Sequence, residues 1–184
     1  MIMSLRSFCV GVAASMVTFA VLAAELSGQP DPASPGPGKS YQIRNKKYGD
    51  LLRPEEANSA DGTPIVLYPA QAWKCMTWKF SAAGASQFTL QNHFTSKTFA
   101  AKAGNDRQAA AVIQVPFGKK PEERPAWQFN KLKDGSYKIV DSKSGKALSG
   151  QRSGSDVKII LETSSDSDNQ KWELLEIDPA KLTM

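Results

Sequence analysis

The fold is indicated most clearly by the stretch Asp168-Asn169-Gln170-Lys171-Trp172-Glu173-Leu174. Its tryptophan and the apolar residue two positions later recur earlier in the chain. The recurring unit is a tryptophan, one polar residue and one apolar residue: Trp78-Lys79-Phe80, Trp127-Gln128-Phe129 and Trp172-Glu173-Leu174. Its tryptophans lie 49 and 45 residues apart. A nearly constant period of this length indicates internal repeats, each built as one supersecondary unit.

Other positions recur with the same period. Each repeat begins with an aromatic residue followed two positions later by an aliphatic one: Tyr41-Gln42-Ile43, Phe88-Thr89-Leu90 and Tyr137-Lys138-Ile139. Each also carries a large apolar residue after the first turn (Leu52, Phe99, Leu148) and a later β-branched pair (Ile65-Val66, Val112-Ile113, Ile159-Ile160). Apolar and polar residues alternate around these positions with period two, which is typical of half-buried β-strands.

Turn signals such as Asp61-Gly62, Asp134-Gly135 and Ser144-Gly145 separate the candidate strands. No segment after residue 40 has a convincing helical period. We therefore predict an all-β domain over residues 40–178, with repeats at about 41–86, 87–135 and 136–178. Each repeat should supply about four strands, about twelve in all. The repeats should pack around a pseudo-threefold axis, because closing the sheet into a barrel removes its edges.

The ends of the chain are predicted to lie outside this domain. Residues 1–24 have one charge, Arg6, before an apolar stretch that ends in small residues, as in a secretory signal peptide. A membrane anchor is the alternative interpretation. Residues 25–39 are rich in proline and glycine and indicate a linker, and residues 179–184 form a short tail. A cleaved signal peptide implies a secreted or periplasmic protein with no remaining membrane span.

Composition excludes several classes of function. The 23 basic and 18 acidic residues give a net charge of +5 spread along the chain, too weak to indicate nucleic-acid binding. One histidine and two cysteines do not suffice for most zinc sites, and no cofactor is predicted. Cys75 would be the only cysteine left after cleavage. We expect it to be buried, with a reactive thiol or an intermolecular disulfide as the alternative.

From about residue 41 to 178 the chain resembles the ricin B-type β-trefoil lectin domain. Two motifs carry the resemblance. The first repeat contains Ala60-Asp61-Gly62-Thr63-Pro64-Ile65-Val66-Leu67-Tyr68. The last repeat contains a complete Gln-x-Trp motif within Asp168-Asn169-Gln170-Lys171-Trp172. The first two repeats have Met76 and Pro125 in place of that glutamine. The resemblance implies a β-trefoil with up to one shallow sugar pocket in each repeat.

In that family an aspartate and the amides before the tryptophan bond sugar hydroxyls, and an aromatic ring stacks on the sugar. Mapped onto this chain, these positions fall on Arg53, Tyr68 and Met76 in the first repeat, on Ala100, Val115 and Pro125 in the second, and on Ser149, Glu162, Asn169 and Gln170 in the third. The first repeat thus keeps the aromatic ring and the third keeps the two amides. No repeat keeps the full set.

The candidate carbohydrate-binding residues are therefore Tyr68, Trp73, Arg53, Asn169 and Gln170. Trp73 matches none of the repeated positions and lies close to Tyr68 in sequence, so it is a candidate stacking surface, with simple packing as the alternative. Tyr68 is expected either as an exposed plate or as a cover over the barrel. Gln170 has the alternative role of bonding backbone groups inside its own repeat.

The sequence contains no catalytic motif, and His93 has no candidate nucleophile beside it in the chain. The expected function is a secreted, non-catalytic carbohydrate-binding module. The alternative is a trefoil that has lost sugar binding and binds a protein through a loop such as residues 117–125.

Overall fold

The structure is a computed structural model that describes residues 35–103 and 109–183. The predicted signal peptide and the linker up to residue 34 lie outside the described residues. Within the described ranges, no helix has the length and apolar character needed to cross a membrane.

Twelve strands form within the described residues, four in each predicted repeat. They are β1 Ser40–Asn45, β2 Leu51–Pro54, β3 Ile65–Tyr68, β4 Thr77–Gly84, β5 Gln87–Asn92, β6 Thr98–Ala101, β7 Ala110–Val115, β8 Trp127–Lys131, β9 Tyr137–Asp141, β10 Ala147–Ser153, β11 Asp156–Glu162 and β12 Trp172–Glu176. Short 3-10 turns lie at Glu55–Ala57, Lys74–Met76, Pro121–Glu123, Asp168–Gln170 and Pro179–Lys181.

The first and last strand of each repeat together close a barrel. Antiparallel pairing runs from β1 to β4, β5, β8, β9 and β12 and returns from β12 to β1. A closed ring of strands has no unpaired edge, which explains how three units that could not bury their apolar faces alone form one stable body. The predicted barrel is therefore confirmed.

The two middle strands of each repeat form a hairpin: β2–β3, β6–β7 and β10–β11. The hairpins contact one another at one end of the barrel, where Lys158 pairs with Val66, Ile160 pairs with Ala111 and Pro64 bridges to Ile113. A barrel capped by three hairpins is the β-trefoil that the repeats predicted.

The recurring tryptophans form the core. Trp78, Trp127 and Trp172 are fully buried, and Phe99 lies edge-on to Trp78 and tilted against Trp127 at centroid distances of 4.9 and 4.8 Å. The indole of Trp78 donates to the Leu52 carbonyl, and that of Trp172 donates to the equivalent Leu148 carbonyl. The interpretation of these tryptophans as core residues is confirmed.

A second, smaller cluster lies under the loop that joins β3 to β4. Its buried members are Leu51, Cys75 and Met76, with Ala57 and Trp73 packed against it. Cys75 is 2% exposed, which confirms its predicted burial. This cluster supports the surface that carries the first-repeat candidate residues.

Candidate functional site

The β2–β3 hairpin brings two candidate residues to one face. Leu51 is opposite Tyr68 and Arg53 is opposite Val66, so the side chains of Arg53 and Tyr68 project from the same side of the hairpin. Leu51 on this side belongs to the smaller cluster. The β3–β4 loop therefore covers part of this face. Arg53, Tyr68 and Trp73 lie at the edge of the covered part.

Tyr68 contacts both of the other first-repeat candidates. The guanidinium carbon of Arg53 lies 3.7 Å from the centroid of the Tyr68 ring, so it covers one face of that ring. The rings of Tyr68 and Trp73 are stacked, with centroids 6.0 Å apart and planes inclined by 29°. Tyr68 is 38% exposed and Trp73 is partly exposed. Tyr68 is thus a surface ring and not a cover over the barrel.

Arg53 is held at the inner side of this surface. It is 9% exposed, and its Nε atom is buried without a hydrogen-bond partner. Cys75 lies next to Arg53. Burial raises the pKa of the Cys75 thiol, and the charge of the Arg53 guanidinium opposes part of this rise. Cys75 precedes Trp78 by three residues, as Asn169 precedes Trp172. Alignment on the tryptophans could therefore have identified Cys75 as a member of the site.

Backbone hydrogen bonds hold the loop that carries Trp73. The Trp73 carbonyl accepts hydrogen bonds from the Met76 amide at 3.1 Å and from the Thr77 hydroxyl at 3.1 Å. On the other side, Thr183 donates its amide to the Ala72 carbonyl, and the Lys74 amide donates to the Thr183 carbonyl. Residues 179–184, predicted as a tail, thus include a segment that runs alongside the candidate site.

The backbone after Arg53 is strained. Glu56 and Ala57 both have positive φ angles, 53° and 55°, a conformation that non-glycine residues adopt at a cost of roughly 1 kcal/mol each. Ala57 packs against the smaller cluster. Strain of this kind is characteristic of functional sites and is consistent with a preformed surface.

In the third repeat, the two amides are engaged within the protein. Gln170 is buried; its carbonyl oxygen accepts from the Ser165 amide, and its nitrogen donates to the Glu162 carboxylate and the Thr163 carbonyl. Asn169 donates to the Ser149 hydroxyl at 2.8 Å. Gln170 therefore holds the loop between β11 and β12, and it can affect a ligand only through the residues that it positions.

The second repeat presents apolar side chains at the corresponding positions, Ala100, Val115 and Pro125. All three are partly exposed. They offer neither a ring for stacking nor a polar group for a hydroxyl, so we assign no ligand to this repeat.

The structure also pairs Ser40 with His93, a contact that the sequence did not indicate because the residues are distant in the chain. The Ser40 hydroxyl lies 2.8 Å from His93 Nε2. Burial, followed by the charges of Lys79 and Lys74, lowers the pKa of His93. Ser40 is 4% exposed within β1, so this pair links β1 to the turn after β5 and its hydroxyl is not an accessible nucleophile.

A broad open depression lies elsewhere, between Gly38–Ser40 and Glu176–Pro179. Its lining includes an ion pair between Lys39 and Glu176 and contains no aromatic ring. We therefore do not connect it with the candidate residues.

Solved structures with the same fold include designed and natural proteins. The designed threefold-symmetric protein ThreeFoil is 27% identical, with a TM-score of 0.68 over 75% of this chain and 99% of its own. The Rhizoctonia solani agglutinin is 19% identical, with a TM-score of 0.65 over 78% of this chain and 98% of its own. A Macrolepiota procera ricin B-like lectin in complex with lactose is 17% identical, with a TM-score of 0.62 over 77% of this chain and 97% of its own.

No curated protein sequence matches the chain. The model of the ricin-type beta-trefoil lectin domain matches residues 39–172, most of the chain. The barrel, the three hairpins and the buried tryptophan of each repeat agree with that match. The chain therefore belongs to the ricin-type beta-trefoil lectin domain family.

Proposed function

We propose that this protein is a secreted or periplasmic, non-catalytic carbohydrate-binding module of the lectin type, and that its main site is the first-repeat surface of Arg53, Tyr68 and Trp73. The observation that carries the proposal is the contact of Tyr68 with both Arg53 and Trp73 at the surface. The family match and the lectins among the structural neighbours support the same class of function.

A pyranose ring has one face rich in C–H groups and a rim of hydroxyls. Such a ligand needs an apolar plate next to polar groups of fixed orientation. Trp73 and the exposed part of Tyr68 supply the plate, and Arg53 supplies N–H donors beside it. Because the cluster of Leu51, Cys75 and Met76 packs beneath these residues, little ordering is required when a ligand binds.

The site is shallow, so a single copy should bind weakly. A second, weaker contact surface around Asn169 and Gln170 remains part of the proposal, with Glu162 as the partly exposed polar group that Gln170 orients. Several weak sites or several chains on one glycan would give useful avidity.

A role without catalysis is consistent with the family, although one structural neighbour is an enzyme. An exo-β-1,3-galactanase from Clostridium thermocellum is 19% identical with a TM-score of 0.66, and the match covers 78% of this chain but 31% of that chain. In this protein the buried position of Ser40 keeps the Ser40 hydroxyl from a substrate.

A second candidate function, binding of a protein partner, is favoured by the order of the loop at residues 117–125. Arg124 lies over the Phe117 ring, with its guanidinium carbon 4.5 Å from the ring centroid, and donates to the Gly118 and Lys119 carbonyls. The Glu123 carboxylate accepts from the Lys119 and Lys120 amides. The loop is thus a preformed, charged projection that a partner could recognise.

A glycan array probed with the full chain tests the main proposal. We expect a saturable hit whose affinity falls by about tenfold or more in Tyr68→Ala and in Trp73→Ala, because each removes part of the stacking surface. Phe94→Ala is the matched control, since Phe94 is 45% exposed but belongs to another turn.

A blank array from folded protein would contradict the proposal. Capture of a protein partner that is lost on combined Lys119→Ala and Lys120→Ala substitution would then establish the second candidate function.

A further inference from the structure

We infer that the first-repeat surface selects acidic saccharides, and that the ligand carboxylate pairs with the guanidinium of Arg53. This inference rests on the proposed function, because it names the class of saccharide that the same surface takes. It is carried by the charge of Arg53, with which no carboxylate of the described residues forms an ion pair.

Arg53 is a nearly buried cation for which the described residues supply no ion-pair partner. It is 9% exposed, and Nε has no hydrogen-bond partner. The ion pairs among residues 35–103 and 109–183 all involve other cations. Removing a charge from water without a partner is costly, and buried charges in proteins are normally paired.

The neighbours of Arg53 do not neutralise it. Burial raises the pKa of the Cys75 thiol, so the group is protonated and uncharged at neutral pH. The Tyr68 ring offsets part of the cost through a cation–π contact. The positive charge therefore lies beside an exposed aromatic surface, and no carboxylate of residues 35–103 and 109–183 forms an ion pair with it.

The chemistry of arginine defines which group of a ligand would pair with Arg53. A guanidinium donates hydrogen bonds and accepts none, so the ligand atoms that face it must be acceptors. Its planar guanidinium fork matches the two oxygens of a carboxylate. A uronic or sialic acid that stacks on Trp73 and Tyr68 would supply both the apolar ring face and this anion.

The test compares each acidic probe with its own uncharged form. Titration calorimetry of the full chain would use tri-galacturonate and 6′-sialyllactose, each against its methyl ester, and galactose 6-sulfate against galactose. We expect at least one carboxylate probe to bind about tenfold or more tightly than its ester, and this preference to weaken at high salt.

Two variants establish the role of Arg53. Arg53→Gln should abolish the preference for acid over ester, and Arg53→Lys should keep part of it, because lysine retains the charge without the planar fork. Near-ultraviolet circular dichroism checks that both variants are folded. If Arg53→Gln does not fold, Arg53→Lys decides the question: a reduced preference for acid over ester supports the inference, and an unchanged preference overturns it.

The outcomes separate this inference from the proposed function. Equal binding of acid and ester, or tighter binding of a neutral glycan than of every acidic probe, overturns the inference and leaves the carbohydrate-binding proposal intact. Preference for the sulfated probe alone overturns the assignment of a carboxylate. Absence of binding to every glycan overturns both.

Discussion

The guanidinium of Arg53 lies over the ring of Tyr68, with its central carbon 3.7 Å from the ring centroid, and no carboxylate of the described residues forms an ion pair with it. The contact joins a nearly buried charge to an exposed ring at the surface. A residue kept at a cost to stability in such a place is typical of a functional site.

We predict that Arg53→Met stabilises the fold. The change removes a buried charge without a counter-ion and keeps most of the packing volume, so urea denaturation should show a gain of about 1 kcal/mol in the free energy of unfolding. Arg44→Met is the control, because Arg44 forms an exposed ion pair with Glu173 at 2.7 Å. The control should lose less than about 1 kcal/mol. A clear destabilisation by Arg53→Met would mean that the guanidinium is a structural group.

Substitution of the buried tryptophans by phenylalanine should lower the free energy of unfolding by different amounts. Trp172→Phe removes the hydrogen bond that the indole donates to the Leu148 carbonyl, whereas the Trp127 indole nitrogen is buried without a partner already. Trp172→Phe should therefore cost about 1 kcal/mol more in free energy of unfolding than Trp127→Phe. Thermal and urea denaturation of the two variants measure the difference. Equal losses would show that the indole hydrogen bond adds nothing to the fold.

The periodic part of the structure was predictable from the sequence. Residues such as Trp78 and Trp172 recur because each repeat must bury the same face against the shared barrel, and the strand alternation follows from that burial. Asn45, Asn92 and Asp141 likewise accept backbone hydrogen bonds in equivalent turns, as periodicity suggests. The turn at Asp61-Gly62 is also present, with Gly62 at a φ of 82°.

The candidate site was only partly predictable, because its contacts do not repeat. Tyr68 and Trp73 are close in the chain, so their juxtaposition could be expected. Placement of Arg53 over the tyrosine and beside Cys75 depends on how the β3–β4 loop closes over the hairpin, which no periodic pattern encodes. Thr183 is more than 100 residues from Ala72, and nothing in either segment indicates that they pair.

The C-terminal segment should support ligand binding more than folding. Deletion of residues 182–184 removes the two backbone hydrogen bonds that Thr183 makes with Ala72 and Lys74, so the Trp73 loop should become less ordered. Glycan affinity should fall several-fold while the melting temperature changes little. Thr183→Ala is the control, because it keeps the backbone bonds and removes a hydroxyl contact at 3.3 Å. Unchanged affinity in the deletion would show that the loop is held by other contacts.

Stability should fall as the pH drops below about 6.5, the ordinary pKa of histidine, in part through His93. The folded protein binds this proton less tightly than the unfolded chain, because burial and then the charges of Lys79 and Lys74 lower the pKa. The unfolded chain thus gains a proton first, and acid favours unfolding. His93 is the single histidine in the sequence.

Urea denaturation at pH 7.5 and 5.5 measures this effect. His93→Gln, which keeps a polar partner for Ser40, should show a smaller loss between the two pH values than the unmodified protein. Identical losses in both proteins would mean that carboxylates alone account for the acid sensitivity.

The four indole N–H groups of the protein provide the most direct test of the proposed site. Trp78, Trp127 and Trp172 are fully buried, whereas Trp73 is partly exposed beside Tyr68. In a ¹⁵N-resolved NMR titration with a glycan that the array identifies as a ligand, we expect a saturable shift of the Trp73 indole resonance and little movement of the other three. Saturable glycan binding that leaves the Trp73 resonance in place would contradict the assignment of the site to Arg53, Tyr68 and Trp73.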